Sequence, residues 1–186
     1  MSMGAINLGV DVEFAFTLKY QLSKEDGHHR EVVERLMDQG CGDALIRNSP
    51  PGRLSLAFHR PAPSAEEALM SALKGIRQSL PAARLIEAGP DLVGLTDVAE
   101  LVGVSRQNMR KLMLTHMASF PAPVHEGNAA SVWHLSQVLT WLASRGGYVL
   151  DPSVVGMSRT AMQVNLVKEN WHLDASQEAA LKALVF

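Results

Sequence analysis

From Val12 to Leu22 the chain alternates, with Val12, Phe14, Phe16, Leu18, Tyr20 and Leu22 on one side. Period two over that span predicts a half-buried strand. The period then changes. Val32, Val33, Leu36 and Met37 fall at helical spacing between His29 and Asp38, and Gly40 supplies a helix stop. Ala44-Leu-Ile-Arg47 returns to strand character, Asn48-Ser-Pro-Pro-Gly52 makes a turn, and Leu54, Leu56 and Phe58 alternate again, so this pair reads as a hairpin. Ser64-Ala-Glu-Glu67 is a capping-box pattern opening a helix that buries Ala68, Leu69, Ala72, Leu73 and Ile76 before Pro81. Ala83 to Ala88 closes as a short strand. The order strand, helix, strand, strand, helix, strand predicts a ferredoxin-like α+β domain over residues 10–90, two helices covering one face of a four-stranded antiparallel sheet. That fold hosts many unrelated activities and says little about function. Ala88-Gly-Pro-Asp91 reads as a linker marking the domain boundary.

The next stretch, Leu95-Thr-Asp-Val-Ala-Glu-Leu-Val-Gly-Val-Ser-Arg-Gln-Asn-Met-Arg-Lys-Leu-Met-Leu114, is the most specific in the chain. Thr96 is the expected cap of a helix whose inner face is Val98, Ala99 and Val102. Gly103 stands where a sharp turn needs positive φ. Ser105 is the expected cap of a second helix, with Val104, Met109 and Leu112 facing the first and the small Ala99 at the crossing. These features define a helix-turn-helix. The exposed face of its second helix holds Arg106, Gln107, Arg110 and Lys111, with Asn108 at the edge. Arg pairs bidentately with guanine, Gln or Asn with adenine, and Lys or Arg reach phosphates. Ser105 and the helix N-terminus add N–H groups suited to a phosphate. Phe120 to Leu135 reads as a strand, a turn at Glu126-Gly-Asn, and a returning strand ending at Trp133, a β-ribbon wing. Ser136 to Arg145 is a closing helix with Val138, Leu139, Trp141 and Leu142 inward.

Charge sharpens this picture. The 186 residues carry a net charge of −2, which argues against a protein that coats nucleic acid through phosphate neutralisation alone. Yet residues 92–145 hold four bases and three acids, the one positive segment, and Arg106, Arg110 and Lys111 crowd into six positions.

Residues 94–145 resemble the winged helix-turn-helix of the MerR, excisionase and AlpA-like regulators, in which such a helix pair is followed by a turn like Phe120-Pro-Ala-Pro-Val124, a short wing and a helix like that of Trp133 to Leu142. The resemblance implies DNA binding, with Ser105, Arg106, Gln107, Asn108, Arg110 and Lys111 on the recognition helix and the wing tip running from His125 to Asn128. The whole chain also looks like an uncharacterised bacterial family of the same two-part layout. The expected organisation is therefore a ferredoxin-like domain (10–90), a winged helix-turn-helix domain (92–146) and a helical tail (147–186).

Other chemistry is sparse. His28-His29 point apart on a helix start and no carboxylate or thiolate completes a tetrahedron, so no metal is expected. His59 reads as a surface residue, His116 as the end of the recognition helix, and His134 as packing at the wing base. Cys41, the single cysteine, excludes an internal disulfide; with no cationic neighbour apparent in sequence it reads as a small buried residue. No GxGxxG, Walker lysine loop or G-x-S-x-G elbow occurs, so neither a cofactor nor an enzyme is expected. The N-terminal residues lack a basic run before an apolar one, and no apolar stretch reaches the roughly 18 residues a bilayer span needs, which with the free thiol predicts a cytoplasmic protein. In the tail, Met157, Ala161, Val164 and Val167 share one helical face, Asp174 is the expected cap of a second helix, and Trp171 lies between. So much apolar surface must pack on the module or on a second copy, and a homodimer is the preferred expectation.

The function expected from sequence is a sequence-specific double-stranded DNA-binding protein, a bacterial transcriptional regulator, with an effector (small molecule or protein) on the N-terminal domain. The alternative is a protein–protein interaction adaptor that uses the winged helix for a protein partner.

Overall fold

The computed structural model describes residues 11–47, 49–127 and 130–185. They form a mixed α+β structure with seven α-helices and two antiparallel sheets. The first part runs β1 (Val12–Gln21), α1 (His29–Asp38), β2 (Leu45–Arg47), β3 (Arg53–Ala62), α2 (Ala65–Ser79) and β4 (Arg84–Gly89). Across the sheet the order is β2-β3-β1-β4, and every neighbouring pair is antiparallel. Alternation decides which face is covered: Phe14, Phe16, Leu18 and Tyr20 are buried, while Glu13, Ala15, Lys19 and Gln21 between them are exposed. Leu54, Leu56 and Phe58 of β3 join the buried side, and Phe16 and Phe58 stack with centroids 4.8 Å apart.

The second part runs β5 (Leu92–Val93), α3 (Leu95–Leu101), α4 (Arg106–Thr115), β6 (His125–Glu126), β7 (Ser131–His134) and α5 (Leu135–Arg145), its sheet ordered β5-β7-β6. Two further helices follow, α6 (Pro152–Asn170) and α7 (Ala175–Val185). Among the described residues no helix is long and apolar enough to cross a membrane.

The expectation of two helices on the first sheet is corrected to three. Helix α6 packs against α2, β1 and β4, continuous through Gly156, where an added Cβ would only touch Ala65 at 3.5 Å. Met157 and Ala161 are fully buried in the sheet core, and Val164 one turn further on packs against it. Val167, expected on that face, is exposed, because the inward face runs through Met157, Ala161, Val164 and Asn165 to Lys168, whose amine still reaches the Ile86 carbonyl of β4. Val154 and Val155, in its first turn, pack instead on the core of the second part. One helix thus serves two cores. As expected, Asp174 precedes the next helix with its carboxylate accepting from the Ser176 N–H at 2.9 Å, but no residue of α7 is buried.

The linker expected at residues 88–91 is a packed junction. Ala88 and Gly89 belong to β4, and the Asp91 side chain is completely buried. A buried carboxylate is tolerable only when its oxygens are met. Here Asn165 of α6 donates to Asp91 Oδ2 at 2.7 Å, and His134 Nδ1 lies 2.7 Å from Oδ1. Asn165 also donates to the Ala88 carbonyl and accepts from the Ala88 N–H, both at 2.8 Å, while the Leu135 N–H donates to the Asp91 carbonyl at 2.7 Å. Gly and Pro in the sequence suggested a loose connection; the polar node formed by residues distant in sequence makes it a rigid one. His134, expected to pack beside Trp133, ends β7 and meets Asp91.

Cys41 is buried as expected, but its surroundings differ from the expectation. Arg60, which pairs with Asp43 at 2.6 Å, approaches the thiol and favours the thiolate; burial outweighs it and pushes the Cys41 pKa up. The same Arg60 holds the Asp43 carboxyl below its usual range. Gly75 allows α2 to approach this region, since a Cβ there would stand 2.6 Å from the Gln39 carbonyl oxygen.

Replacing Asn165 by Ala removes every partner it supplies to Asp91 and Ala88. Stability measured by urea unfolding should fall by about 3 kcal/mol, as for buried polar groups left unmatched. The exposed neighbour Gln163→Ala should change it by less than about 0.5 kcal/mol.

Candidate nucleic-acid interface

Helices α3 and α4 meet as the sequence requires. Gly103 has φ +72°, and the next residue, Val104, donates its N–H to the Ala99 carbonyl at 2.9 Å, which folds the turn back onto α3. Val98, Ala99 and Met109 are fully buried, and Val102, Val104 and Leu112 pack around them. Ser105 is the N-cap of α4, its hydroxyl accepting from the Asn108 N–H at 3.1 Å. Thr96 is not the cap of α3. That place is taken by Gly94, whose N–H donates to the Asp97 carboxylate at 2.7 Å. An acid at the third helical position reaches back more effectively than a hydroxyl already inside the helix.

Around α4 only Met109 is fully withdrawn from solvent. Ser105, Arg106, Gln107, Asn108, Arg110 and Lys111 are all exposed, so the six residues predicted on this helix lie on one continuous outer arc. They divide between two flanks. Arg106, Gln107 and Arg110 line a groove bounded on its other side by Gly94 and Thr96 of the α3 start and by Ala130 and Ser131 of the ribbon. Asn108 and Lys111 line a separate groove on the opposite flank, beside Thr115, His116 and Tyr148. Thr96 and Ser131 were not picked out as site residues; Thr96 faces the groove because Asp97 has relieved it of capping, a substitution of roles that spacing alone does not reveal.

The ribbon pairs His125 with Val132 and Glu126 with Ser131. His125 is exposed beside it, and a Cβ on Gly127 would come within 2.9 Å of its Nε2, so the ring lies against that glycine. Asn128, also predicted here, lies outside the described residues. Aromatic packing fixes the ribbon against α5. Phe120 meets Trp133 edge-on at 6.1 Å and Trp141 at 4.9 Å, and the Trp133 indole N–H donates to the Pro121 carbonyl at 3.0 Å. His116 caps the end of α4 against Trp141, at 6.1 Å between ring centroids.

Electrostatically the arc suits an anion. Its three bases have no ion pair among the described residues, and the groove holding Arg106 and Arg110 has no acid in its lining. Unpaired guanidinium groups beside amide side chains offer both bidentate donors and a net attraction for phosphate.

Gly103→Ala should cost about 1 kcal/mol in a thermal-unfolding comparison, through its positive φ alone, since nothing lies within 4 Å of an added Cβ. Gly103→Asn should recover part of that loss because Asn tolerates the left-handed region. Ser105→Ala should cost a further amount of about 1 kcal/mol by removing the cap.

No curated protein and no solved structure matches the chain. A family model does match part of it: residues 91–146 fit the model described as prophage CP4-57 regulatory protein (AlpA). The matched segment begins at the buried Asp91 and ends just beyond α5, so the helix pair, the ribbon and the closing helix together form an AlpA-like segment.

Proposed function

We propose that the chain is a sequence-specific double-stranded DNA-binding protein, a bacterial transcriptional regulator, that lays α4 in the major groove. The observation carrying this reading is the arc of α4, where polar and basic side chains stand in solvent around a single buried methionine. The likeness of residues 91–146 to a prophage regulatory family supports it. In this reading the segment is a winged helix-turn-helix akin to those of MerR and excisionase proteins. Arg106 and Gln107 read base edges, Arg to guanine and Gln to adenine. Arg110 and Lys111 hold phosphates on the two flanks, with Ser105 and Asn108 at the helix start. The ribbon, with His125 and Asn128, follows the backbone or minor groove.

The same reading takes the first part as ferredoxin-like, supported by its strand order read from the far edge, β4-β1-β3-β2. It serves as the place where a small molecule or protein effector acts, and the protein binds rather than catalyses. A homodimer, supported by the uncovered Leu181, Leu184 and Val185 of α7, would present two copies of α4 to a palindromic site.

Duplex fragments selected from a genomic or randomised library test the reading. Affinity should drop steeply between about 50 and 200 mM salt. Arg110→Ala should lower the salt slope by about 1, while Arg106→Ala should cost about 1–3 kcal/mol and relax the sequence preference at one position. Selection of no fragment, or an affinity indifferent to salt, would instead favour a protein partner for this surface.

A further inference from the structure

Residues 1–91 hold 10 bases and 12 acids, and their small net charge of −2 hides a separation of charge within the first part. Strand register puts Arg53 of β3 and Arg84 of β4 directly opposite Gln21 of β1, on the sheet face that no helix covers. The adjacent row on that face runs Arg47, Ser55, Lys19 and Glu87, the last two paired with each other, which leaves Arg47 as its unpaired charge. Arg53 and Arg84 are therefore separated by two strand spacings, about 10 Å. Acids gather at the other end of the sheet, where Glu13, Asp38, Asp43, Glu66 and Glu67 sit near the start of β1, the end of α1 and the start of α2. Like charges in neighbouring rows oppose folding, so a basic row retained on a bare face suggests an external anion.

Two grooves flank the row. Lys24, Arg47 and Arg53 line one; Arg77, Arg84 and Lys168 line the other, and neither has an acid in its lining. Arg77 and Lys168 are held in place, donating at 2.8 Å to the carbonyls of Pro81 and Ile86. Of the nearby acids, Glu87 pairs with Lys19 at 2.8 Å and Glu169 with Lys168, while Glu25, next to Lys24, is exposed and makes no ion pair among the described residues. In the second groove lies Trp171, 86% exposed at the end of α6. An indole left in water next to Arg84 and two anchored cations matches a strand whose phosphates meet the cations and whose bases stack on the ring. A duplex keeps its base faces stacked inside and has no use for the indole.

We propose that this pole of the first part binds single-stranded nucleic acid, with Arg53, Arg84, Arg77 and Lys168 on the phosphates and Trp171 under a base. The site is separate from α4 and does not depend on the reading of that helix.

The test titrates the full chain with an oligothymidylate of about 16 nucleotides, following tryptophan emission and anisotropy at low salt. Quenching is expected, because Trp171 is the most exposed of the three indoles, Trp141 being half-buried and Trp133 buried. Trp171→Ala should abolish the quenching and weaken binding roughly tenfold. The pair Arg53→Glu and Arg84→Glu, both on exposed positions, should weaken it at least as much and flatten the salt dependence, with the circular dichroism spectrum unchanged. Arg106→Ala with Arg110→Ala should leave the oligonucleotide affinity as it was. The proposal is overturned if no binding occurs at low salt, if the pole variants bind like the parent protein, or if binding is lost through the α4 variants. Equal affinity of the pole for an unrelated duplex of the same length also overturns it.

Discussion

What α4 offers to solvent depends on what it withdraws. Met109 is completely buried with Val98 and Ala99, and the hydrogen bond from Val104 to Ala99 closes the turn that lets it enter that core. A methionine fits a gap between helices without demanding one shape, whereas the small Ala99 permits the crossing to be close. With Met109 seated, helical periodicity alone sends Arg106, Gln107, Asn108, Arg110 and Lys111 outward. The Ser105 cap then satisfies a free N–H at the end of α4 that is turned to solvent. The outer arc is thus a consequence of one buried side chain and one positive φ.

The second constraint is polar. Asp91 and Asn165 together tie β4, the start of α5 and α6, and each oxygen of Asp91 has a partner. Among the described residues no buried side-chain nitrogen or oxygen goes without one. Since α6 also contributes Met157 and Ala161 to one core and packs Val154 and Val155 on the other, the two parts share a structural member rather than a flexible hinge. The AlpA-like segment begins at that same aspartate, so its first residue is also the point where it is joined to the rest of the chain.

How much of this could be read from sequence follows from the range of the interactions involved. Strand alternation in Phe14 to Tyr20, the Ser64 and Ser105 caps, and the Gly103 turn are local, and each stood where its pattern placed it. The outward residues of α4 were legible for the same reason. What escaped was non-local. Asn165 meets Asp91 across 74 positions and carries no pattern of its own, so a Gly-Pro junction looked like a linker. Helix α6 has apolar residues spread around it because it serves two cores, which blurred its buried face. Arg60 reaches Cys41 only through strand pairing, and the cap of α3 shifted from Thr96 to Gly94 because two capping devices stood two residues apart. The basic row across Arg53 and Arg84 likewise exists only once register is known.

The central claim, that α4 is the surface presented to DNA, is tested most directly by mapping contacts on the intact protein. Amide chemical shifts of the isotope-labelled chain would be followed while a library-selected duplex is added. The account predicts that the largest changes fall at Ser105 to Lys111, with smaller ones at Thr96, His125 and Ser131 along the groove and ribbon. Changes concentrated elsewhere, with residues 105–111 unaffected at saturation, would contradict it.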